Sequence, residues 1–336
     1  MLKNLPYAKI MNDYEERRLQ ARHEAILRYN EIKNTLPEYT VLEEKLASNS
    51  ITYAKMSLSG NTISMDKLAS ENASIIREKA QILESHGYPA DYLEPVYTCP
   101  DCQDTGYIGN EKCHCLKQTI VNFLYSQSNL SSILTEENFS TFQTDYYPDD
   151  WIEESTGLTP RDNILRVLNE CHDFIRNFDK KKDGLLLYGN TGVGKTFLCN
   201  CIAKELLDKS HTVVYLTAFQ LFDILEKYKF NRSLEEYSSI EEKVRYILDS
   251  DLLIIDDLGT ESTNSFLASQ LYLCVNERLL KQKATIISTN LSLDDLNRLY
   301  SERVFSRIVS SYRLLKLTGT DIRLKKAISL DEMGRK

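Results

Sequence analysis

No stretch of this chain approaches the roughly 18 consecutive apolar residues that a membrane-spanning helix needs. Its first residues, Met1-Leu-Lys-Asn-Leu-Pro-Tyr, lack the apolar core of a secretory leader, so an unprocessed cytoplasmic protein is expected. Proline and glycine are scarce, at 7 and 12 of 336 residues, which excludes collagen-like and low-complexity architectures. No internal repeat is evident. There is no excess of basic charge: 41 Lys and Arg stand against 49 Asp and Glu, a net of −8, which argues against indiscriminate coating of nucleic acid. What remains, 42% apolar and 27% charged, is an ordinary globular composition long enough for two or three domains.

The most informative segment present is Gly189-Asn190-Thr191-Gly192-Val193-Gly194-Lys195-Thr196. The apolar run Gly184-Leu-Leu-Leu-Tyr188 precedes it and the helical pattern Phe197-Leu-Cys-Asn-Cys-Ile-Ala follows. Strand, glycine loop and helix in this order form a phosphate cradle. Glycines let backbone N–H groups curl around a polyphosphate, and the helix N-terminus adds partial positive charge. Lys195 is expected to reach the β- and γ-phosphates, and Thr196 to ligate Mg²⁺ through its hydroxyl.

A second apolar run, Leu252-Leu-Ile-Ile255, ends in Asp256 and Asp257. Four apolar residues bounded by charge read as a buried parallel strand, and ligands of open α/β sheets sit beyond the carboxyl ends of such strands. Asp256 is expected to hold Mg²⁺, directly or through water, and Asp257 to orient or activate an attacking water. A third strand, Ala284-Thr-Ile-Ile-Ser-Thr, ends at Asn290, whose amide can position water against the γ-phosphate.

Strand, acid pair, strand, asparagine and then the spaced arginines Arg303, Arg307 and Arg323 follow the order of AAA+ ATPases. The region 136–328 resembles the DnaC/DnaI-type loaders of the replicative helicase, with IstB-like transposition ATPases close by. The resemblance implies an α/β fold: a P-loop AAA+ parallel sheet flanked by helices. Only about thirty residues follow Arg307, so a minimal lid is expected. It implies ATP, Mg²⁺ and slow ATP hydrolysis between neighbouring subunits of a homo-oligomer. Arg307 would be the finger reaching a neighbour's γ-phosphate, with Arg303 its rival, and Arg323 would sense that phosphate from the lid stub. The implied partners are a DnaB-type replicative helicase and single-stranded DNA, with no membrane. The alternatives are an IstB-like transposition helper, a non-catalytic ATP-binding adapter, and a zinc-finger nucleic-acid binder using ATP for assembly. One departure stands out: the usual Asp-Glu pair is Asp-Asp here. That draws the second carboxylate back by about 1.5 Å of bond geometry, and a misplacement of about 1 Å can cost about a hundredfold in rate.

The eight cysteines form two groups. Cys171, Cys199, Cys201 and Cys274 fall on apolar helical patterns without ligand spacing and are expected in the core. Cys99-Pro-Asp-Cys102 and Cys113-His114-Cys115 are separated by ten residues that can form a short hairpin closed by Gly106 and Gly109-Asn110. Two such pairs read as a tetrahedral Zn²⁺ site. His114 can substitute for one thiol, and a thiol pair or redox centre is the alternative. With all four positions filled by protein, such a site builds a fold and does not catalyse.

The expected organisation is a helical, coiled-coil-like docking region over 1–95, a zinc knuckle and following helix over 96–134, an acidic linker over 135–160 and the AAA+ domain over 161–336. In the first region Leu42, Leu46, Tyr53 and Met56 share a helix face, and Leu68, Ile75 and Ile82 recur at seven-residue spacing, as do Ala69, Ile76 and Leu83. Pro37 and Ser59-Gly60-Asn61 punctuate it, and His86-Gly87-Tyr-Pro89 closes it. A self-contained bundle is the other reading of the same pattern. In the linker, Phe139 and Phe142 either approach the adenine or staple the segment to the ATPase. Beyond the second strand, Tyr228, Lys229 and Arg232 (with Lys227 and Asn231) combine an aromatic platform with cations suited to single-stranded DNA, or form a solvated connector. From Gly184 onward there are 21 basic and 20 acidic residues, and Arg298–Lys326 holds eight basic residues against Glu302 and Asp321. That stretch is either a phosphate-tracking surface or finger arginines on a solvated face.

Overall fold

The three N-terminal helices break where the sequence punctuates them. The computed structural model describes residues 7–59, 62–124, 130–181, 183–230, 234–261 and 265–325, and it divides into two compact units, residues 6–113 and residues 114–336. Helices α1 (Tyr7–Thr35) and α2 (Pro37–Ser59) are separated by Leu36 alone, with Pro37 at the first helical position, where its missing N–H costs nothing. Gly60 and Asn61 lie outside the described residues, as do the side chains of Tyr53 and Met56. Helix α3 (Thr62–Ser85) ends in a Schellman cap: Tyr88 N–H donates to Leu83 O at 2.9 Å and Gly87 N–H to Glu84 O at 3.0 Å. Gly87 sits at φ 84°, the left-handed conformation that this cap requires.

Ile32, Leu36, Tyr39 and Leu83 form a core here, with Ile82, Tyr88, Tyr92 and Leu93 packed on it. The heptad pattern is followed only in part. Ile75 and Leu83 are buried, whereas Ile76 is 57% exposed. Leu68, Ile75 and Ile82 keep their seven-residue spacing on the inward side, half-buried, buried and half-buried, whereas of Ala69, Ile76 and Leu83 only Leu83 is buried, in the core with Ile32, Leu36 and Tyr39. Strands β1 (Tyr107–Ile108) and β2 (Glu111–Lys112) form the short antiparallel hairpin expected between the cysteine pairs, with Gly109 and Asn110 in its turn.

The second unit opens with α4 (His114–Leu124) and α5 (Leu130–Glu136). An extended segment with one 3-10 turn at Thr144–Tyr146 follows, then α6 (Pro160–Arg176), capped by the Thr159 side chain on Asp162 N–H. Five strands then alternate with helices: β3 (Gly184–Tyr188), α7 (Lys195–Asp208), β4 (Val213–Thr217), α8 (Ala218–Phe230), α9 (Leu234–Asp249), β5 (Leu252–Leu258), α10 (Ser265–Leu280), β6 (Ala284–Thr289), α11 (Leu293–Ser311) and β7 (Tyr312–Lys316). All pairings are parallel, in the order β4-β5-β6-β3-β7. Helices cover both faces of the central strands, which is why β3, β5 and β6 read as unbroken apolar runs and not as alternating ones. The exposed backbone of edge strand β4 is partly covered by α4. Gln118 donates to Val213 O at 3.1 Å and accepts from Val213 N–H at 2.9 Å, as a neighbouring strand would.

The acidic segment over 135–160 is packed. Tyr147 is 1% exposed, Arg161 pairs with Asp149 at 2.8 Å, and Phe139 rests on His172 with ring centroids 4.3 Å apart. After β7 the described chain makes one helical turn, 322–325. Among the described residues no helix is long and apolar enough to cross a membrane.

Candidate functional site

The loop between β3 and α7 opens into a cleft at the carboxyl ends of the strands. Gly194 is the N-cap of α7 at φ 94°, and a β-carbon there would come within 2.6 Å of the Tyr147 hydroxyl. That hydroxyl donates to Val193 O at 2.8 Å, so the acidic segment holds the loop from outside. Lys195 is 5% exposed, and its Nζ donates to Gly189 O at 2.8 Å, Asn190 O at 2.7 Å and Asn290 Oδ1 at 2.6 Å. Burial depresses its pKa to about 8, against the pull of Asp257 and Asp256.

The acid pair sits on a bulge. Ile255 pairs with Ile287 and Leu258 with Thr289, so Asp256 and Asp257 together oppose Ser288 alone. Such a bulge re-aims side chains at a strand end. Asp256 is buried, and its carboxylate accepts from Thr196 Oγ1 at 3.3 Å, Tyr215 OH at 3.0 Å and the Ser288 hydroxyl. Burial raises the Tyr215 pKa far above the usual tyrosine value, which keeps it a donor. Asp257 turns into the cleft, with its N–H on Ser288 Oγ at 2.9 Å and φ at 56°. Aspartate tolerates that left-handed backbone better than most residues do. Burial and the neighbouring Asp256 raise the Asp257 pKa, partly offset by Lys195 and Arg323.

Thr191, Gly192, Gly194, Lys195, Thr196, Asp257, Asn290 and Arg323 all line this one cleft. Arg323 arrives on the turn after β7, which is docked by Ile322 N–H on Gly192 O at 3.0 Å. The other end of the cleft is aromatic. Phe142, Tyr146, Tyr147 and Phe197 line it, with Phe142 at 5.5 Å from Phe197, ring centroid to ring centroid. A donor-rich end beside a flat apolar end matches a polyphosphate joined to a base. The Thr196 hydroxyl and the Asp256 carboxylate are hard oxygen donors of the kind that Mg²⁺ takes alongside water and phosphate.

Arg303 and Arg307 do not line the cleft. Both are exposed on α11 and, among the described residues, have no ion-pair partner. The rest of the basic stretch is largely spoken for, which favours the second of its two readings, finger arginines on a solvated face, over a single phosphate-tracking surface. Arg313 bonds Glu170, Asp173 and Asp183, Arg298 pairs with Asp295, and Lys325 donates to Tyr146 O at 2.9 Å. At the end of α8, Tyr228 is half-buried and Lys229 exposed, while Asn231 and Arg232 lie outside the described residues. Phe230, not singled out in the sequence, is 61% exposed and stands 5.1 Å from Phe266.

The sulfurs of Cys99, Cys102, Cys113 and Cys115 lie within 4.8 Å of one another. Cys99 and Cys113 are 3.9 Å apart, too far for a disulfide and close to the edge of about 3.8 Å that a tetrahedron with Zn–S bonds of about 2.3 Å requires. Around them, Gly106 N–H donates to Cys102 Sγ at 3.3 Å, and the buried Asp104 carboxylate accepts from Thr98 N–H and Cys99 N–H at 2.8 and 2.9 Å. The cluster is compatible with Zn²⁺. A second grouping, Cys99, Asp101 and His114, also falls within the same distance, so His114 stands beside the thiols. Cys171, Cys199, Cys201 and Cys274 are buried in the second unit, as expected.

Tyr215, Ser288, Tyr146, Tyr147 and Phe197 contribute to the site and were not singled out in the sequence.

The family model of IstB-like ATP-binding proteins matches residues 160–329. The replicative helicase loader DnaI of Bacillus subtilis is 31% identical over 159 residues, 45% of this chain and 49% of its own. The replicative helicase loader DnaC of Escherichia coli K12 is 23% identical over 144 residues, 43% of this chain and 57% of its own. The chain thus spans about half the length of these relatives. A crystal structure of the DnaC helicase loader superposes with a TM-score of 0.44 at 22% identity, covering 55% of this chain and 99% of that one.

Proposed function

The chain belongs to the family of IstB-like ATP-binding proteins, and from that premise we propose that it is an ATP-controlled loader of a DnaB-type replicative helicase onto single-stranded DNA. Family membership carries ATP binding and ATPase activity in general terms. The observation that supports the switch is the convergence of Lys195, Thr196, Asp257 and Asn290 on one cleft, with the buried Asp256 bonded to Thr196 behind it. On ATP binding, the Lys195 ammonium exchanges the Gly189 and Asn190 carbonyls for the β- and γ-phosphates. Thr196 and Asp256 hold Mg²⁺, which neutralises phosphate charge when bound. Asp257 orients the attacking water, and Asn290 positions it. Phe142 and Phe197 receive the base. Arg323 senses the γ-phosphate within the chain, and Arg307 reaches the site of a neighbouring copy, with Arg303 as its rival. Hydrolysis is slow because the Asp257 carboxylate reaches one methylene less far than a glutamate would. The domain limits proposed above assign 161–336 to this switch, 1–95 to helicase docking and the four thiols to a structural zinc.

The similarity to DnaI and the cysteine cluster ahead of the ATPase region support the loader over its relatives that assist transposition. The family model itself keeps the transposition helper as the second reading. Affinity capture separates them. The full chain, immobilised with ATP and Mg²⁺, is expected to retain a purified hexameric helicase of the DnaB type and to release it when Lys195→Ala replaces the wild type. Retention of an insertion-sequence transposase with no retention of helicase would overturn the loader reading. Capture of helicase without any ATP turnover would identify a non-catalytic adapter.

A further inference from the structure

We propose that Glu261 and Tyr300 are positioning residues that tie the loop carrying Asp257 to the arginine-bearing half of α11. The inference rests on the ATP-site reading above. Three contacts lock the loop beyond the bulge. Thr260 Oγ1 donates to Asp257 O at 3.0 Å, Gly259 N–H donates to Glu261 Oε2 at 3.1 Å, and the second Glu261 oxygen accepts from the Tyr300 hydroxyl. One carboxylate therefore holds the loop through its backbone and the helix through a side chain.

The helix end of this tie is unusual. Tyr300 is wholly buried, and the next residue, Ser301, breaks α11 with φ 75° and ψ 152°, a region that residues other than glycine almost never occupy. Such a conformation persists only where its surroundings over-determine it, and it clusters at switch regions. On its near side the tie fixes Tyr300. On its far side Val304 and Ile308 are buried, and Arg303 and Arg307 are exposed. The strained residue is thus the joint between a segment anchored to the acid loop and a segment presenting two arginines that have no ion-pair partner among the described residues. A shift of Asp257 as the γ-phosphate is lost has a direct bonded route, through Thr260 and Glu261, to the angle at which the arginines are presented.

The test uses full-length chain in its assembled form. Tyr300→Phe keeps the buried ring and deletes only the hydroxyl. Its ATP affinity is expected to stay within about twofold of wild type, while kcat falls about 10- to 100-fold, the scale of a displacement near 1 Å. The diagnostic readout is non-additivity. In an Arg307→Ala background the same substitution should change kcat by less than about twofold, because the finger it positions is gone. Glu261→Gln, which keeps an acceptor for the hydroxyl but cannot serve both donors, should fall between wild type and Tyr300→Phe. A wild-type chain without ATP turnover would overturn the underlying reading and the pair with it. If wild type turns over and Arg307→Ala is slow, two results overturn the pair alone. One is a Tyr300→Phe or Glu261→Gln chain at wild-type kcat. The other is a Tyr300→Phe effect as large without Arg307 as with it.

Discussion

Lys195→Ala should weaken ATP·Mg²⁺ binding by about a hundredfold or more and leave the fold standing. The ammonium is the one buried cation at the loop, and its three acceptors are two loop carbonyls and Asn290. Hydrogen bonds to charged partners contribute about 1.5–3 kcal/mol each, and about 1.4 kcal/mol is tenfold in affinity. Loss of contacts to two phosphates therefore reaches two orders of magnitude. The side chain packs no core cluster, so thermal unfolding should barely move. A pH dependence follows from the same burial. In the nucleotide-free protein Lys195 has a pKa of about 8. Phosphate favours the charged form and raises that value, so affinity is full below about pH 8 and declines above it, by up to about tenfold per pH unit. A fluorescent ATP analogue titrated between pH 7 and 9 reads this directly. Wild-type affinity in the Lys195→Ala chain, or a fall in affinity toward acid pH, would remove Lys195 from the site.

Zinc removal should have the second large effect, confined to the cysteine region. One zinc per chain is expected in protein purified under reducing conditions. Apparent binding free energies of about 10–16 kcal/mol are usual for structural zinc in small peptides, and in such sites binding is folding. The hairpin β1–β2 is four residues of ladder, far too little to hold itself. Chelation, or Cys102→Ser, should therefore open residues 96–113 to protease while the protein still binds ATP. Metal analysis without zinc, or an unchanged digestion pattern after chelation, would count against the site.

Much of this site was legible because its chemistry is local in sequence. Gly189 to Thr196 is a contiguous cradle, and the strand ends at Asp256 and Asn290 are marked by polar residues closing apolar runs. The sheet followed from the same runs. What was not legible depends on counting residues on two strands at once. The bulge that turns Asp257 into the cleft exists because β5 has two residues where β6 has one, and no single strand shows it. It also bears on the Asp-Asp pair. At φ 56° a glutamate would be harder to seat than an aspartate, so the shorter acid suits the backbone as well as a slow reaction. Tyr215 and Ser288 were hidden inside strands whose apolar pattern masks a buried polar contact to Asp256. The seam of Ala69, Ile76 and Leu83 was over-read because a repeat spacing shows which residues share a helix face and not how far along the helix that face meets a partner; only Leu83 reaches the core of Ile32, Leu36 and Tyr39. The two readings of the basic stretch could not be separated in the sequence, because charge counts do not see that Arg313 is held by Glu170 and Asp173 of α6 and by Asp183 just before β3.

ATP binding in the cleft at the ends of β3, β5 and β6 is expected to depend on Mg²⁺ held at Thr196 and Asp256. Calorimetric titration of the unaltered full chain with ATP, in Mg²⁺ and then in excess chelator of Mg²⁺, tests it most directly. One ATP per chain is expected, with an affinity at least about tenfold lower without Mg²⁺, the contribution of a single charged contact. No heat of binding at millimolar ATP, or an affinity indifferent to Mg²⁺, would contradict it.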